Sequence, residues 1–258
     1  MLGKLLPRRL GHGEEATLVE HLDELRTRLL VCIAAIIPAF ALTFGFHARL
    51  IHWLAAPLPH DKKLVTFGVT EPFFTSFKVS FYAAAALALP VILYQVWSFL
   101  APAFEQHIQR VVAAFVAIAT VLFAGGVAFS YTIALPRAVQ FLTTYDSHLY
   151  NIQVRASYYY SFAALMLIAM GLVFELPIWI LALVRLRVLT ADRLRRNRRV
   201  GYVLVLVLAI LLPTVDPVSL VFETVPLLVL FEGSIWLSVL MERRWRLADE
   251  ALPGPRPR

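Results

Sequence analysis

Six apolar runs, set apart by shorter polar or basic stretches, make up most of this chain: Leu29–Phe46, Val79–Ala101, Val111–Leu135, Tyr158–Val184, Val200–Leu212 and Val218–Met241. At about 1.5 Å of rise per residue, roughly 20 helical residues cross a hydrocarbon core of about 30 Å. Four runs reach that length comfortably and the first is adequate. The fifth covers only roughly 20 Å as a helix, so the bilayer thins there, flanking arginines snorkel, or runs five and six form a re-entrant hairpin. The pattern predicts an all-α, polytopic membrane protein with six transmembrane helices, the fifth short. Prolines interrupt runs one, two, four and six (Pro38, Pro90, Pro177 and Pro226). Each removes a helix hydrogen bond and favours a kink, so the bundle is expected to form a curved, concave wall.

Composition agrees with that class: 60% of the 258 residues are hydrophobic and 16% are charged, against about a quarter charged in a soluble domain. The pattern divides the chain into a tail with a short amphipathic helix (1–28), one transmembrane domain (29–241) and a basic C-terminal tail (242–258). The first apolar run has no small-residue cleavage site before or after it and reads as an anchor. No internal repeat is visible.

The net charge of +7 suggests nucleic acid until its location is considered. Lys and Arg lie almost wholly between the apolar runs, where topology accounts for them. Eighteen fall on the side that carries the N-terminal tail, the segments 99–110 and 185–199 and the C-terminal tail; six fall on the other. The bias places both termini in the cytoplasm. On the far side, the loop His47–Phe77 is rich in proline and aromatics and is expected to be a partly buried cap or an interfacial segment. The loop Pro136–Ser157 ends at Tyr158–Tyr160, which reads as an aromatic belt.

Ionisable residues within apolar runs cost several kcal/mol at bilayer depth and mark function or a specific partner. Glu175, in "GLVFELPI", is the clearest. Pro177 frees the carbonyl of Val173, a candidate partner for a protonated Glu175. Glu232 lies deep in run six. Glu223 lies nearer its start, where an interfacial position accounts for it equally well. Asp216, in "PTVDPVS", is a turn and cap residue. Cys32 lies in an apolar run without a partner or metal-ligand spacing and is expected to pack. No glycine loop for phosphate, no cysteine cluster and no histidine pair on a span points to an enzyme, a metal or a cofactor.

The stretch "TLVEHLDELRTRLL", Thr17 to Leu30, places three carboxylates on about two helical turns just before the first run. Thr17 and Glu20 match a capping box, and Leu18, Leu22, Leu25 and Leu29 share one face. Glu24 precedes Arg28 by four residues, so a surface pair worth tenths of a kcal/mol accounts for it, and Asp23 favours the helix dipole.

This stretch also resembles the opening signature of the TatC family, the large membrane subunit of the twin-arginine protein translocase. The resemblance continues in order through "EPFFTSFKVSFYAAAALALPVILYQVWSFLAPAF", "GLVFELPI" and "LPTVDPVSLVFETVPLLVLFE". It implies a non-enzymatic receptor and translocation core of the cytoplasmic membrane of bacteria or archaea. Such a core binds twin-arginine signal peptides of folded cargo, assembles with single-span TatA/TatB-type subunits and with further copies of itself, and depends on the protonmotive force. By the same resemblance Glu24, Arg26, Phe99, Pro102 and His107 fall on signal-peptide positions. Glu175 falls on an intramembrane glutamate tied to partner coupling, a role also expected of Glu232. Pro57 and Phe73 fall on the extracytoplasmic cap, and Lys78 aligns at the head of run two. A carboxylate pairs bidentately with a guanidinium, and more strongly at a low-dielectric boundary, which fits acid clustered at the membrane.

The segment "APAFEQHIQR" departs from the family pattern: Ile108 stands where a glutamate is usual. Either Glu105, about one helical turn earlier, takes its place, or the chain is a divergent homologue with weaker or altered signal recognition. A proton-coupled carrier of small solutes using Glu175 is the alternative reading.

Overall fold

A computed structural model describes residues 18–59, 63–100, 112–185, 188–214 and 216–250. The helices are α1 (Leu18–Gly45), α2 (His47–Ala55), α3 (Glu71–Leu100), α4 (Val112–Phe129), α5 (Leu135–Thr144), α6 (Ala156–Val173), α7 (Leu176–Arg185), α8 (Ala191–Arg196), α9 (Arg198–Leu211) and α10 (Pro217–Glu250). Two short strands, β1 (Leu64–Val65) and β2 (Val154–Arg155), pair in parallel with Leu64 opposite Val154.

Five stretches are long and apolar enough to cross a membrane: Leu22–Gly45, Glu71–Phe99, Ala113–Thr144, Ala156–Arg185 and Pro217–Glu242. The remaining run, the fifth, is α9, whose 14 residues give roughly 20 Å of helix. The main contacts run α1 on α3, α3 on α4 and α6, α7 on α10, and α10 on α9. The helices thus form an open, curved row, with α1 near one end and α9 near the other.

Small residues set the closest approaches in that row. Ala39 of α1 packs on Ala84 and Ala88 of α3, and the Thr43 hydroxyl donates to the Ser80 carbonyl at 2.8 Å. A side chain at Gly126 of α4 would sit 2.8 Å from Gly171 Cα and the Met170 carbonyl of α6, so only glycine permits that crossing. Three larger clusters fill the rest: Leu54, Leu135, Tyr159 and Met166 near the two loops, Leu93, Trp97, Phe123 and Ile178 in the middle, and Met170, Val205, Leu227 and Phe231 under α9.

Three expectations from the pattern need correcting. The third run does not end at Leu135. It passes through a widened π turn, Ser130–Ala134, and continues as α5 to Thr144. Pro136 sits in the first turn of α5, where its missing N–H is tolerated, and the wider turn relieves the clash of its ring with the preceding carbonyls. The chain leaves α5 through Asp146, whose φ of 49° is a left-handed conformation that Asp accepts readily. The fourth run is two helices rather than one: it breaks at Phe174–Glu175, just before Pro177. Finally, Tyr158–Tyr160 is not a uniform belt. Tyr158 faces outward, whereas Tyr159 and Tyr160 are core residues, and the Tyr159 hydroxyl donates to the Leu54 carbonyl at 2.7 Å.

Candidate functional site

Glu24 is carried by the first turns of α1. Its carboxylate Oε1 accepts from Arg28 Nε at 3.0 Å and from an Arg28 terminal nitrogen at 2.5 Å. The same guanidinium reaches across to α3, donating to the Gln95 amide oxygen at 3.3 Å and to the Ser98 carbonyl at 3.1 Å. Glu24 and Arg28 are both largely shielded, so this is more than the surface pair the spacing suggested. The bridge fixes the acid beside the end of α3, where Phe99 is half-buried. Arg26 is exposed on α1. Pro102, Glu105, His107 and Ile108 lie outside the described residues, as do Thr17 and the side chain of Glu20, so the capping box and the replacement acid are not placed. Leu22, Leu25 and Leu29, expected to form an apolar face, are exposed.

Glu175 sits at the α6–α7 break and is 1% exposed. Its backbone carbonyl accepts from Ile178 and Trp179 N–H at 3.0 and 3.2 Å, starting α7. Its Oε1 is buried without a hydrogen-bond partner among the described residues. Trp179 in turn stacks on Trp97 of α3, with ring centres 5.2 Å apart.

Glu232 joins α10 to α9. One oxygen accepts from the Tyr202 hydroxyl, and the other lies 3.6 Å from an Arg198 terminal nitrogen. Glu223, near the start of α10, faces the protein interior. It is fully buried and accepts from the Thr214 hydroxyl at 2.6 Å. Asp216 is the predicted cap, its Oδ1 accepting from the Ser219 N–H at 2.7 Å.

The expected cap is ordered by a residue the pattern did not single out. Glu71, at the start of α3, accepts from the Phe67 N–H at 3.0 Å, from Arg155 Nε at 2.9 Å and from the Ser157 N–H at 3.3 Å. That hydrogen bond holds the Arg155 guanidinium above its ordinary range. One carboxylate therefore ties the two loops together beside the β1–β2 pair. Trp53 of α2 stacks on Tyr131 at 4.0 Å, and the Tyr131 hydroxyl donates back to the Trp53 carbonyl at 2.9 Å. Pro57 is half-buried just after α2; Phe73 is exposed, with Phe74 and Phe77 around it. A carboxylate at an i,i+4 distance from nothing charged gave no local sign of Glu71's role, because Arg155 follows 84 residues later.

Residues 20–226 match the family described as Sec-independent protein translocase protein (TatC). The chain belongs to the TatC family. The TatC protein of Magnetococcus marinus is 35% identical over 243 residues, spanning 92% of this chain and 89% of that protein. The TatC protein of Escherichia coli K12 is 34% identical over 237 residues, spanning 90% and 92%. A crystal structure of the twin-arginine translocase receptor TatC superposes with a TM-score of 0.76 at 32% identity, covering 84% of this chain and 99% of that one. The TatC resemblance read from "HLDELRTRLL" onward is thereby established. With its apolar helices and bacterial relatives, this TatC homologue is a multi-pass protein of the bacterial cytoplasmic membrane and a translocase component, not an enzyme. The solute-carrier alternative is set aside.

Proposed function

We propose that this chain is the receptor and core subunit of a twin-arginine translocase, binding the twin-arginine signal peptides of folded proteins for protonmotive-force-dependent export. The observation that supports this most directly is the match in sequence and fold, over nearly all of its length, to a solved twin-arginine translocase receptor. Its helices cross the membrane six times with α9 as the short fifth span, both termini are cytoplasmic, and residues 1–28 and 242–258 are tails on one transmembrane domain. The eighteen-to-six charge bias supports that orientation.

In this reading Glu24 receives a signal-peptide guanidinium, flanked by Arg26, Phe99 and Pro102, with Glu105 and His107 completing the surface. The Arg28 bridge supports it by holding Glu24 beside the C-terminal end of α3. Single-span TatA/TatB-type subunits pack on the outer face, further copies of the chain join the complex, and Glu175 and Glu232 serve coupling or partner contact. Pro57 and Phe73 belong to the extracytoplasmic cap.

The test is site-specific photo-cross-linking from positions 24, 105 and 108 to a twin-arginine signal peptide, with a paired-lysine peptide as control. Strong adducts that vanish with lysines are expected. Equal adducts with both peptides, or none at position 24, would sink the assignment.

A further inference from the structure

A cavity of about 330 Å³ opens between α7, α8, α9 and α10. Its walls are hydrocarbon, with Leu176, Leu204, Leu208 and Phe231 among them, and Arg193 and Asn197 stand at its rim. The volume falls within the roughly 300–1,000 Å³ of small-molecule sites. Its depth depends on Gly201, where any side chain would collide with the Phe231 ring at 2.0 Å. The rim belongs to the most basic stretch of the chain: Arg193, Arg195, Arg196, Arg198 and Arg199 occur within seven residues. Glu232 engages Arg198. Among the described residues no carboxylate pairs with Arg193, Arg195, Arg196 or Arg199. The Arg198 Nε–H is itself buried without an acceptor.

An apolar slot along a membrane helix, headed by guanidinium groups that no carboxylate among the described residues neutralises, has the chemistry of one ligand. We propose that this cavity holds an acyl chain of an anionic phospholipid, whose phosphate is bound by Arg193 and its arginine neighbours. Basic pockets between helices at a membrane surface select anionic headgroups, and guanidinium pairs bidentately with phosphate oxygens. The acyl chain gains little from leaving the bilayer, since both surroundings are apolar. It fills a void that would otherwise lack contacts, and the headgroup supplies the selectivity. The α9 helix is short, so its arginines sit at headgroup level while its hydrophobic residues line the slot. The lipid also completes the packing of α9, which otherwise rests mainly on α10. This inference does not depend on signal-peptide binding.

The test uses the full-length chain in nanodiscs that contain a trace of phospholipid with a photoreactive acyl chain, bearing either a phosphatidylglycerol or a phosphatidylcholine headgroup. Adducts are mapped by mass spectrometry. The glycerol probe is expected to label α9 and α10 around Leu204, Leu208 and Phe231 in preference to the choline probe. Each arginine strengthens anionic-lipid binding about five-fold, so Arg193→Gln with Arg196→Gln should lower that labelling ten-fold or more. Leu208→Trp, which fills the slot, should abolish it while the gel-filtration profile is unchanged. Equal labelling by both probes, or labelling that survives the arginine changes, would overturn the proposal. Loss of labelling by both probes when a single-span partner subunit is co-expressed would assign the slot to that partner instead.

Discussion

Arg155 Nε donates to Glu71 Oε1 at 2.9 Å, joining residues 84 positions apart and fastening one loop to the other. The bond is charge-assisted, and the same carboxylate also holds the Phe67 and Ser157 N–H groups, so its removal leaves three donors without their acceptor. Glu71→Ala is expected to release both loops. Limited proteolysis in membranes should cut between residues 56 and 70 and between 145 and 155 several-fold faster than in the parent, with the protein still inserted. Arg155→Lys, which keeps the charge but not the planar fork, should fall between the two. Unchanged cleavage in Glu71→Ala would show that the strand pair and the aromatic stack hold the loops without the clasp.

Arg28 is the other long-range fastener, tying Glu24 on α1 to Gln95 and Ser98 on α3. An exposed i,i+4 pair would be worth about 0.3–0.5 kcal/mol. These groups are largely shielded and the guanidinium also bonds a neutral amide and a carbonyl, so Arg28→Met should cost about 1–3 kcal/mol. Gln95→Ala, removing only one acceptor, should cost less. Thermal unfolding of the purified protein in detergent separates the two, and equal midpoints for all three proteins would refute the bridge.

Adjacent glycines in α4 give an internally controlled comparison. A side chain at Gly126 meets backbone atoms of α6 at 2.8 Å, and backbone cannot turn aside as a flexible side chain can. At Gly125 nothing lies within 4 Å. Gly126→Ala should therefore destabilise by about 1–3 kcal/mol. Gly125→Ala should be neutral, or stabilising by up to about 1 kcal/mol through helix propensity. The contrast is read from the melting midpoints of the two variants, and its reversal would mean that α4 and α6 cross elsewhere.

The apolar runs made the helices legible in the sequence, because length and hydropathy alone decide what can cross a bilayer. Where helices bend was less so. Pro177 coincides with a break, Pro38, Pro90 and Pro226 lie within continuous helices, and the π turn before Pro136 carries a helix beyond the end of its apolar run at Leu135. A proline's effect depends on whether neighbouring groups satisfy the freed carbonyl, and that is a tertiary property. Local pairing was legible too: Asp216 caps α10 as its turn sequence implies, and Glu24 meets Arg28 as the four-residue spacing implies. Glu71–Arg155, Thr214–Glu223 and the Arg28 contact with α3 left no such trace, since their partners meet only after the helices pack.

Thr214 and Glu223 offer the sharpest test of that packing. The Thr214 hydroxyl donates to Glu223 Oε2 at 2.6 Å, both residues are buried, and Glu223 Oε1 has no hydrogen-bond partner. A buried polar group deprived of its partner costs about 1–3 kcal/mol, whereas replacing both partners with apolar groups of similar shape is close to neutral. Thr214→Val, which preserves shape, should therefore destabilise by about that amount, because it removes the bond that Glu223 Oε2 accepts. Glu223→Leu alone strands only a hydroxyl and should cost less. The double variant should be more stable than Thr214→Val, giving a coupling energy of about 1 kcal/mol or more in a double-mutant cycle. Thermal melts of the four proteins in one detergent supply the cycle. Additive losses would mean that the two residues do not act as a pair, and that the segment over α10 is held by Asp216 and its cap alone.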